Sequence, residues 1–574
     1  MLWLAPSRAD LEGKLHKTIF FQEGNNEKEI DEYTAYSYGY GIGLTACVPK
    51  AANETAAPAA TKAAEAGETQ AAFEVNKEGL PIVNQPITYE IAASTQKNKN
   101  FKELEFFQKL ETDTNVIVNW NMSSDDGWNE KKSLLFASNT LPDAFYGQDI
   151  LKDVDIIKYA SQGMLIPLND MIDEYAPNLK AILDANPQYR KQITAPDGNI
   201  YSLPTINELN PTTHDKLFIN KTWLDNLGLK VPETREELET VLQAFKDGDP
   251  NGNGNTNDEI PFSFRMSSSD PYNRQQGIQS LFGTFGQLDD IYHFVINDGD
   301  VVYTPMTEPY KEAISWFHSL YEKGLVDKEA FTHDFNVYVA KIQDPNKIVG
   351  MFLGWSGNAT AAANKDDYVA MAPLINTNGE RIWRTVDAKI ISKGSFAITS
   401  KAEHPEVLMR WIDQSYDPES SLEICQGLLG HVLEKTGEGR YHQMQLPEGV
   451  TLDTAIHDYS PGNDGTFAVM QPIIDKLDLN ANLTERKELD AFYAPYNVPA
   501  DEMYPNVFFT GDEIEEIGVL QTDIDSYVAQ KYAGWIVEGG VEDEWDSFQK
   551  KLQDMNVERY IQIYKDAYAR YSAE

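Results

Sequence analysis

Cysteine is nearly absent, with only Cys47 and Cys425 among 574 residues. The two lie more than 370 residues apart, so a disulfide framework does not stabilise this chain. Cys425, in the stretch SLEICQGLL, is expected to be a small buried apolar side chain. Stability must therefore come from hydrophobic cores, and the chain is long enough to form two or more lobes.

Basic residues are also scarce. The 48 Lys and Arg against 90 Asp and Glu give a net charge of −42. Such a surface repels nucleic acid and anionic lipid, so the sequence predicts no nucleic-acid partner. Long apolar runs are missing as well, because stretches such as IVGMFLGW from Ile348 have only the length of a buried strand. The body of the chain is not expected to cross a membrane.

The common catalytic motifs are missing too. The sequence has no HExxH zinc pair and no GxxxxGK[ST] phosphate loop, and GWSGN has Asn358 where a nucleophile turn needs glycine. The nine histidines are scattered singly. Acidic pairs occur by chance among 90 carboxylates, so they do not indicate a glycosidase. No residue set predicts catalysis.

A calcium loop is present in DPNGNGNTNDE. With Asp249 as the first position, oxygen-bearing side chains follow at alternate positions and Gly254 stands sixth, as in the first half of an EF-hand loop. The twelfth position is Ile260 rather than Glu, so the coordination sphere has to close earlier. The predicted ligands are Asp249, Asn251, Asn253, Asn255, Asp258 and Glu259, within a loop spanning 249–259.

One alternative to a calcium site stays open for this loop. Asn and Gly also favour turns that hold no ion, because both adopt left-handed backbone conformations. A bound Ca²⁺ is expected to be structural rather than catalytic, since Pro261 and the apolar run IPFSF lead directly back into a core.

Cys47 ends the sequence LTAC, which resembles the lipobox of bacterial lipoproteins. About thirty residues rich in Ala, Glu, Thr and Lys follow it, and such a composition favours a flexible tether. Residues 47–84 are thus predicted to be a lipidated Cys and a tether. Residues 1–46 lack the basic start and apolar stretch of a secretory signal, and we interpret them as an aberrant or misassigned signal region.

The body from about residue 79 alternates strands and helices. The run around Ile87 and Ile91 predicts a strand, the spacing of Phe101, Leu104, Phe107 and Leu110 predicts a helix, and VIVNW predicts the next strand. Helix starts are expected at the Thr234–Glu237 and Thr510–Glu513 capping boxes. This alternation predicts an α/β fold with a parallel sheet and crossover helices.

Aromatic and polar side chains occur together in predicted loops, a pattern expected where sugar rings stack on a flat face. Trp355 is the strongest candidate because it follows an apolar strand at a Gly-bounded turn. Trp128, Trp223, Trp316 and Trp545 lie on helical faces and are assigned to packing. The candidate ligand residues are Tyr146, Gln148, Asn207, Tyr272, Trp355, Trp383 and Arg384.

Several long stretches together resemble one family, the lipid-anchored extracellular solute-binding proteins, family 1, of bacterial ABC-type sugar importers, particularly the large Gram-positive subgroup. The resemblance covers about residues 85–574. It rests on SNTLPDAFYG, on the region from INKTWLDNLGLK through DPNGNGNTNDEIPFSF, on TEPYKEAISWFHSLYEKGLVDKEAF, and on the ending from YVAQKYAGWIVEGG to YARY. In that family the calcium loop is usually one residue shorter, which leaves open whether Asn257, Asp258 or Glu259 supplies the last ligands.

The resemblance implies a two-lobed periplasmic-binding-protein-like fold of type II, with a hinge and a ligand cleft between the lobes. Crossings between lobes are expected near 205–214, 375–395 and 425–430. The implied first lobe comprises residues 85–208 and 378–428. The implied second lobe comprises 209–377 and 429–574.

The implied function is capture of an oligosaccharide outside the cell and its delivery to a membrane permease, without catalysis. The implied protein is a monomer at the extracellular face of the membrane of a Gram-positive bacterium, attached only by lipid. Its acidic surface suits neutral sugars, whereas a charged sugar would need a local basic patch from Arg265, Arg274 and Arg384. The alternatives are a surface-anchored polysaccharide hydrolase and a carbohydrate-binding adhesin.

Overall fold

The computed structural model of the protein describes residues 73–96, 99–213, 215–266, 277–290, 292–385 and 390–573. The predictions for Cys47, for residues 1–46, for most of the tether, and for Tyr272 and Arg274 lie outside these ranges. The predicted end of the tether at residue 84 is wrong, because Val75 pairs with Val83 and both Ile82 and Val83 are buried in a hydrophobic core. Among the helices in the described ranges, none combines the length and the apolar composition needed to span a bilayer.

Strands are numbered in chain order. They are β1 Ile87–Thr95, β2 Val116–Ser124, β3 Ala144–Tyr146, β4 Leu203–Asn207, β5 Lys216–Asn220, β6 Phe294–Asn297, β7 Asp300–Tyr303, β8 Met351–Gly354, β9 Tyr368–Met371, β10 Ile390–Ile398, β11 Leu433–Lys435, β12 Tyr441–Gln443, β13 Ala468–Val469 and β14 Leu477–Asp478.

Helices are numbered in the same way, and short 3-10 turns lie between some of them. They are α1 Glu105–Thr114, α2 Asp125–Ala137, α3 Asp153–Ser161, α4 Asn169–Tyr175, α5 Pro177–Ala185, α6 Pro187–Ile193, α7 Lys221–Leu227, α8 Arg235–Asp247, α9 Glu308–Glu322, α10 Phe335–Ile342, α11 Gly357–Thr360, α12 Pro405–Asp413, α13 Pro418–Gln426, α14 Leu452–Tyr459, α15 Gln471–Ile474, α16 Ala481–Tyr493, α17 Gly511–Glu538, α18 Val541–Asp554 and α19 Val557–Ala573.

The first lobe is built on a six-stranded sheet with the order β13-β4-β10-β3-β1-β2. β1 pairs in parallel with both β2 and β3. Parallel neighbours need a crossover connection, and α1 and α2 provide the crossovers here. β10 runs antiparallel to its neighbours β3 and β4. The predicted α/β class, with a parallel sheet and crossover helices, is confirmed.

The core of the first lobe follows the predicted apolar periodicity with one interruption. Phe101 lies in a short 3-10 helix, and Leu104 has an extended backbone before α1 begins at Glu105. Phe107 and Leu110 of α1 pack in the core with Val116 of β2. The single helix predicted from Phe101 is thus two helical segments, because the chain turns at Leu104.

The second lobe has a smaller sheet, β8-β5-β9, in which both outer strands run antiparallel to β5. Residues 260–263 extend this sheet along β8 through isolated bridges. α8 begins at its predicted cap, where the Thr234 hydroxyl accepts a hydrogen bond from the Glu237 N–H at 3.2 Å. α17 begins at a complete capping box formed by Thr510 and Glu513.

The chain passes from one lobe to the other at three places, which lie near 208–215, after Trp383, and at the start of α16. Trp383 belongs to the core of the second lobe, whereas β10 belongs to that of the first. The sequence analysis assigned all of 429–574 to the second lobe. In the structure Tyr441 and Phe467 lie in the first core, and β13, which directly follows Phe467, pairs in parallel with β4. The chain therefore changes lobe near residue 480 and not near 428.

Candidate functional site

The chain leaves the first lobe at the edge where its parallel strands end. Parallel pairing brings the ends of β1, β2 and β3, at Thr95, Ser124 and Tyr146, to one edge. β4 ends on the same edge at Asn207, because it runs antiparallel to β10 as β3 does. Ligands of α/β sheets bind outside the carboxyl ends of the strands. This edge is therefore one half of the candidate site.

Asp464 joins the loops of this edge. Its Oδ2 accepts hydrogen bonds from the Thr95 hydroxyl at 2.7 Å and from the Gln96 N–H at 3.1 Å. Its backbone carbonyl accepts one from the Gln148 N–H at 3.2 Å. Burial raises the pKa of this carboxyl. Sequence analysis missed Asp464 because a lone Asp in YSPGNDG matches no motif, and only folding brings it to residues 95–96.

The three predicted ligand residues of the first lobe differ in accessibility. Tyr146 is fully buried among aromatic side chains, and its hydroxyl accepts a hydrogen bond from the Thr466 N–H at 3.2 Å. Asn207 is also buried, and its amide lies 3.6 Å from the Cys425 sulfur. Gln148 alone is partly exposed. Tyr146 and Asn207 thus support the edge from beneath in this arrangement of the lobes.

The chain enters the second lobe at an edge that also faces the crossing. β5 begins at Lys216, which pairs with Gly354 at the end of β8. Trp355 follows Gly354 directly, so the predicted platform lies where the chain arrives from the first lobe. Its ring is partly exposed, and the Arg486 guanidinium stacks over it, 4.5 Å from the ring centroid. Trp355 and Gln148 thus lie on the two edges that flank the crossing.

Trp383 and Arg384 lie inside the crossing rather than on a surface. Trp383 is 1% exposed, and its indole N–H donates to the Asp215 carbonyl at 2.8 Å. Arg384 donates to Asp215 Oδ2 at 3.0 Å. Burial raises the Asp215 pKa to about 6, although Arg384 and the Ser280 hydroxyl oppose the shift. These side chains hold two crossing segments together.

The edge of the second lobe carries a further aromatic ring that sequence analysis missed. Phe335 begins α10 and is 49% exposed, and the Arg265 guanidinium lies 5.5 Å from its ring centroid. Tyr338, on the same helix, hydrogen-bonds the backbone of Leu353 in β8. α10 therefore begins at the crossing-facing edge of the sheet. In the sequence, the only signal for this position was an aromatic residue directly after a possible helix cap, Asp334.

The predicted calcium loop is a tight turn between α8 and the strand-like residues 260–263. Asp249 accepts hydrogen bonds from the backbone N–H groups of Asn253 and Gly254, at 3.1 and 2.9 Å. Gly252 and Gly254 have φ of +71° and +84°, which only glycine adopts at low cost. The loop ends where the Ile260 N–H donates to the Ile348 carbonyl at 2.7 Å.

The carboxylates of the loop fit a cation. Both oxygens of Glu259 and Oδ1 of Asp258 are buried, and within the described part of the chain they receive no hydrogen bond. Burial raises the pKa of Glu259, and the charges of Asp258 and Asp249 raise it further. Buried carboxylate oxygens without donors are costly unless a cation compensates them. Hard oxygen ligands of this kind suit Ca²⁺.

A second cluster of ligand-type groups already contains its own cation. Asp327, Glu329 and His333 offer donor atoms within 4.8 Å of one another. The Lys341 ammonium lies 2.8 Å from Asp327 and 2.7 Å from Glu329. Its Nζ also lies 3.3 Å from His333 Nδ1. The ammonium thus occupies the position that a metal ion would take.

Comparison with known proteins identifies the family. The family model of bacterial extracellular solute-binding proteins matches residues 88–420. The chain belongs to this family. It is 35% identical over 501 residues to the fructooligosaccharide ABC transporter substrate-binding protein FusA of Streptococcus pneumoniae serotype 4, with 84% of this chain and 90% of FusA covered. The family consists of extracellular solute-binding proteins, so the protein is extracytoplasmic.

Solved structures of FusA share the fold. The complex of Streptococcus pneumoniae FusA with kestose has a TM-score of 0.74 and 33% identity, over 85% of this chain and all of that chain. An EF-hand mutant of FusA in complex with fructo-nystose has a TM-score of 0.73 at the same identity and coverage. These likenesses confirm the two-lobed fold predicted for a solute-binding protein of this family.

Proposed function

We propose that this protein captures a neutral oligosaccharide between its two lobes and delivers it to the permease of an ABC transporter. The observation that carries the proposal is the partly exposed Trp355 ring, on the edge of the second lobe that faces the crossing. A flat ring suits the apolar face of a sugar, while Gln148 and the loops joined by Asp464 offer hydrogen-bonding groups on the opposite edge. The FusA name and its kestose complex support the same ligand class.

A neutral ligand is favoured over a uronate by the state of the cations at the crossing. Arg384 pairs with Asp215 at 3.0 Å, and Lys216 lies 3.5 Å from Asp490. Lys393 pairs with Asp153. An anionic sugar gains affinity mainly from cations that can pair with it. These three cations already have carboxylate partners, and the Arg486 guanidinium stacks on the Trp355 ring.

Ca²⁺ belongs to the proposal as a structural ion. Asp249, Asn251, Asn253, the backbone at Asn255, Asp258 and Glu259 would hold it. The ion would compensate the buried carboxylates and fix the turn between α8 and the second-lobe sheet. The remaining parts of the proposal are a lipid on Cys47, a tether that ends before Val75, attachment to a Gram-positive membrane, a monomeric state and no catalytic turnover.

Thermal unfolding of residues 71–574 against a panel of oligosaccharides tests the function. A ligand at a hundred times its dissociation constant adds about 2.7 kcal/mol, which raises the midpoint by a few degrees. The panel contains neutral fructans, neutral glucans and uronate oligomers. A shift with a neutral sugar that is recovered intact supports the proposal. Release of reducing ends supports the hydrolase instead, and a shift only with uronates contradicts the neutral class.

Trp355→Ala tests the site itself. Removal of a stacking aromatic is expected to weaken sugar binding about 10- to 100-fold. Trp316→Phe is the matched control. Trp316 lies on α9 and donates to Glu239 of α8, and neither helix forms part of the two edges of the candidate site. Equal affinity in wild type and Trp355→Ala would exclude Trp355 as the platform.

A further inference from the structure

Trp355 is held by α16, the helix that begins where the chain passes from the first lobe to the second. Glu485 of α16 accepts hydrogen bonds from the backbone N–H groups of Gly357 and Asn358, at 2.8 and 2.9 Å. One residue further along α16, Arg486 stacks on the Trp355 ring. Two consecutive residues of α16 thus bind the Trp355 ring and the turn that follows it.

α16 itself spans the two lobes. At its start the cap residue Asn480 contacts Gln443 of the first lobe, and Leu483 packs against the first core. At its end the Tyr493 hydroxyl donates to the Met371 carbonyl at 2.7 Å and accepts from the Leu217 N–H at 2.8 Å. A single rigid helix therefore connects the first core to the sheet of the second lobe.

The turn after Trp355 has a glycine at the point where the Glu485 carboxylate approaches the backbone. A Cβ atom at Gly357 would lie 2.9 Å from Glu485 Oε1, so only glycine allows the carboxylate to approach the backbone this closely. Ser356 separately caps the short helix α11 by accepting from the Ala359 N–H at 3.1 Å. Because Ser356 already provides the local cap, Glu485 adds a link to the crossing beyond what α11 alone requires.

We propose that Glu485 is a positioning residue for ligand binding, which fixes the Trp355 platform to the crossing helix α16 so that the ring moves with the lobes as they close. The inference rests on the proposed function, because Trp355 matters only if a ligand stacks on it. Glu485 does not need to touch the ligand. It acts through the backbone of residues 357–358.

A double-mutant cycle tests the proposal. Glu485→Gln keeps the size of the side chain but places an amide N–H₂ against one of the two backbone donors. The substitution is expected to weaken sugar binding about 5- to 20-fold in the wild-type background and to have no effect in a Trp355→Ala background. Gly357→Ala should reproduce the loss. Glu488→Gln, an exposed position on the same helix, is the control and should bind normally.

A second measurement does not depend on any sugar. Acrylamide quenching of Trp355, taken as the difference between each protein and its Trp355→Phe counterpart, is expected to increase in Glu485→Gln but not in Glu488→Gln. Unchanged quenching, or an affinity loss that persists in the Trp355→Ala background, overturns the positioning role. If wild type binds no sugar in the panel, the proposed function fails, while the quenching difference still decides whether Glu485 positions Trp355.

Discussion

The indole N–H of Trp383 donates a 2.8 Å hydrogen bond to the backbone carbonyl of Asp215, which joins two of the segments that pass between the lobes. The Trp383 backbone also pairs with the loop after α16, through the Tyr496 carbonyl at 2.7 Å and the Val498 N–H at 3.0 Å. Three parts of the chain that are distant in sequence are therefore fixed at one position.

Trp383→Phe is expected to destabilise the protein by about 1–3 kcal/mol, because it keeps most of the ring but leaves a buried carbonyl without its donor. Urea unfolding measures the loss. Trp316→Phe removes an indole N–H that donates to the partly exposed Glu239 carboxylate, so its cost should be smaller. Equal losses in the two variants would contradict a special role for the Trp383–Asp215 bond.

The Asp215 carboxyl predicts a pH dependence of stability. Its pKa is raised to about 6 by burial, compared with about 3.9 in an unfolded chain. The folded state thus binds this proton more tightly than the unfolded state does. The contribution of the group to stability is complete below the unfolded pKa and is lost as the pH rises through about 6.

Asp215→Asn removes this titration. The difference in unfolding free energy, wild type minus variant, is expected to rise by about 1 kcal/mol as the pH falls from 7 to 5. Urea unfolding of both proteins at several pH values measures it. Asp247→Asn, which removes an exposed carboxyl at the end of α8, is the control. A constant difference for Asp215→Asn would show that its pKa is not raised.

If the loop holds Ca²⁺ as proposed, a chelator is expected to lower the thermal midpoint, because the buried oxygens of Asp258 and Glu259 would lose the cation that compensates them. Glu259→Gln should weaken Ca²⁺ binding about 10- to 100-fold, since it removes one charge and one ligand oxygen. Isothermal titration calorimetry on chelator-treated protein measures the affinity. Asp247→Asn lies two residues before the loop and should bind Ca²⁺ as wild type does.

The alternative interpretation of the loop predicts a different result. An Asn/Gly turn without an ion would show the same midpoint with Ca²⁺ and with chelator. Under that interpretation Glu259→Gln would stabilise the protein, because it removes a buried charge that has no partner.

Phe508→Ala is expected to loosen the contact between the lobes. Phe508 follows a segment anchored to the second lobe, where the Tyr504 hydroxyl donates to the Tyr564 carbonyl, yet its ring is buried with Trp128 and Phe145 of the first lobe. The Lys393 ammonium lies 3.9 Å from the ring centroid. Loss of a buried Phe costs about 3–5 kcal/mol.

Small-angle scattering is expected to show a larger radius of gyration for Phe508→Ala without ligand than for wild type, since the ring is a contact between lobes. Phe492→Ala is the control, because the Phe492 ring on α16 is 40% exposed. Its removal should change the radius of gyration and the stability only slightly. An unchanged radius together with a full loss of stability would mean that Phe508 supports only the core of the first lobe.

The sequence by itself determined the local elements and the class of fold. Apolar periodicity located β1, α1 and β2, and the Thr234 and Thr510 caps located the starts of α8 and α17, since these features depend on neighbours within a few residues. The spacing of oxygen side chains in 249–259 also predicts a cation loop without tertiary knowledge, because all of its proposed ligands come from one short stretch of chain.

Only the tertiary structure decided which chain segments share a lobe and which aromatic rings reach the candidate site. The sequence analysis ranked Trp355 first but also gave Tyr146 and Trp383 as ligand residues, whereas the structure buries these two and leaves Trp355 partly exposed. Burial depends on partners more than a hundred residues away, such as Thr466 for Tyr146 and Asp215 for Trp383. The same long-range pairing, of β13 with β4, keeps residues 429–480 in the first lobe, and no local pattern encodes it.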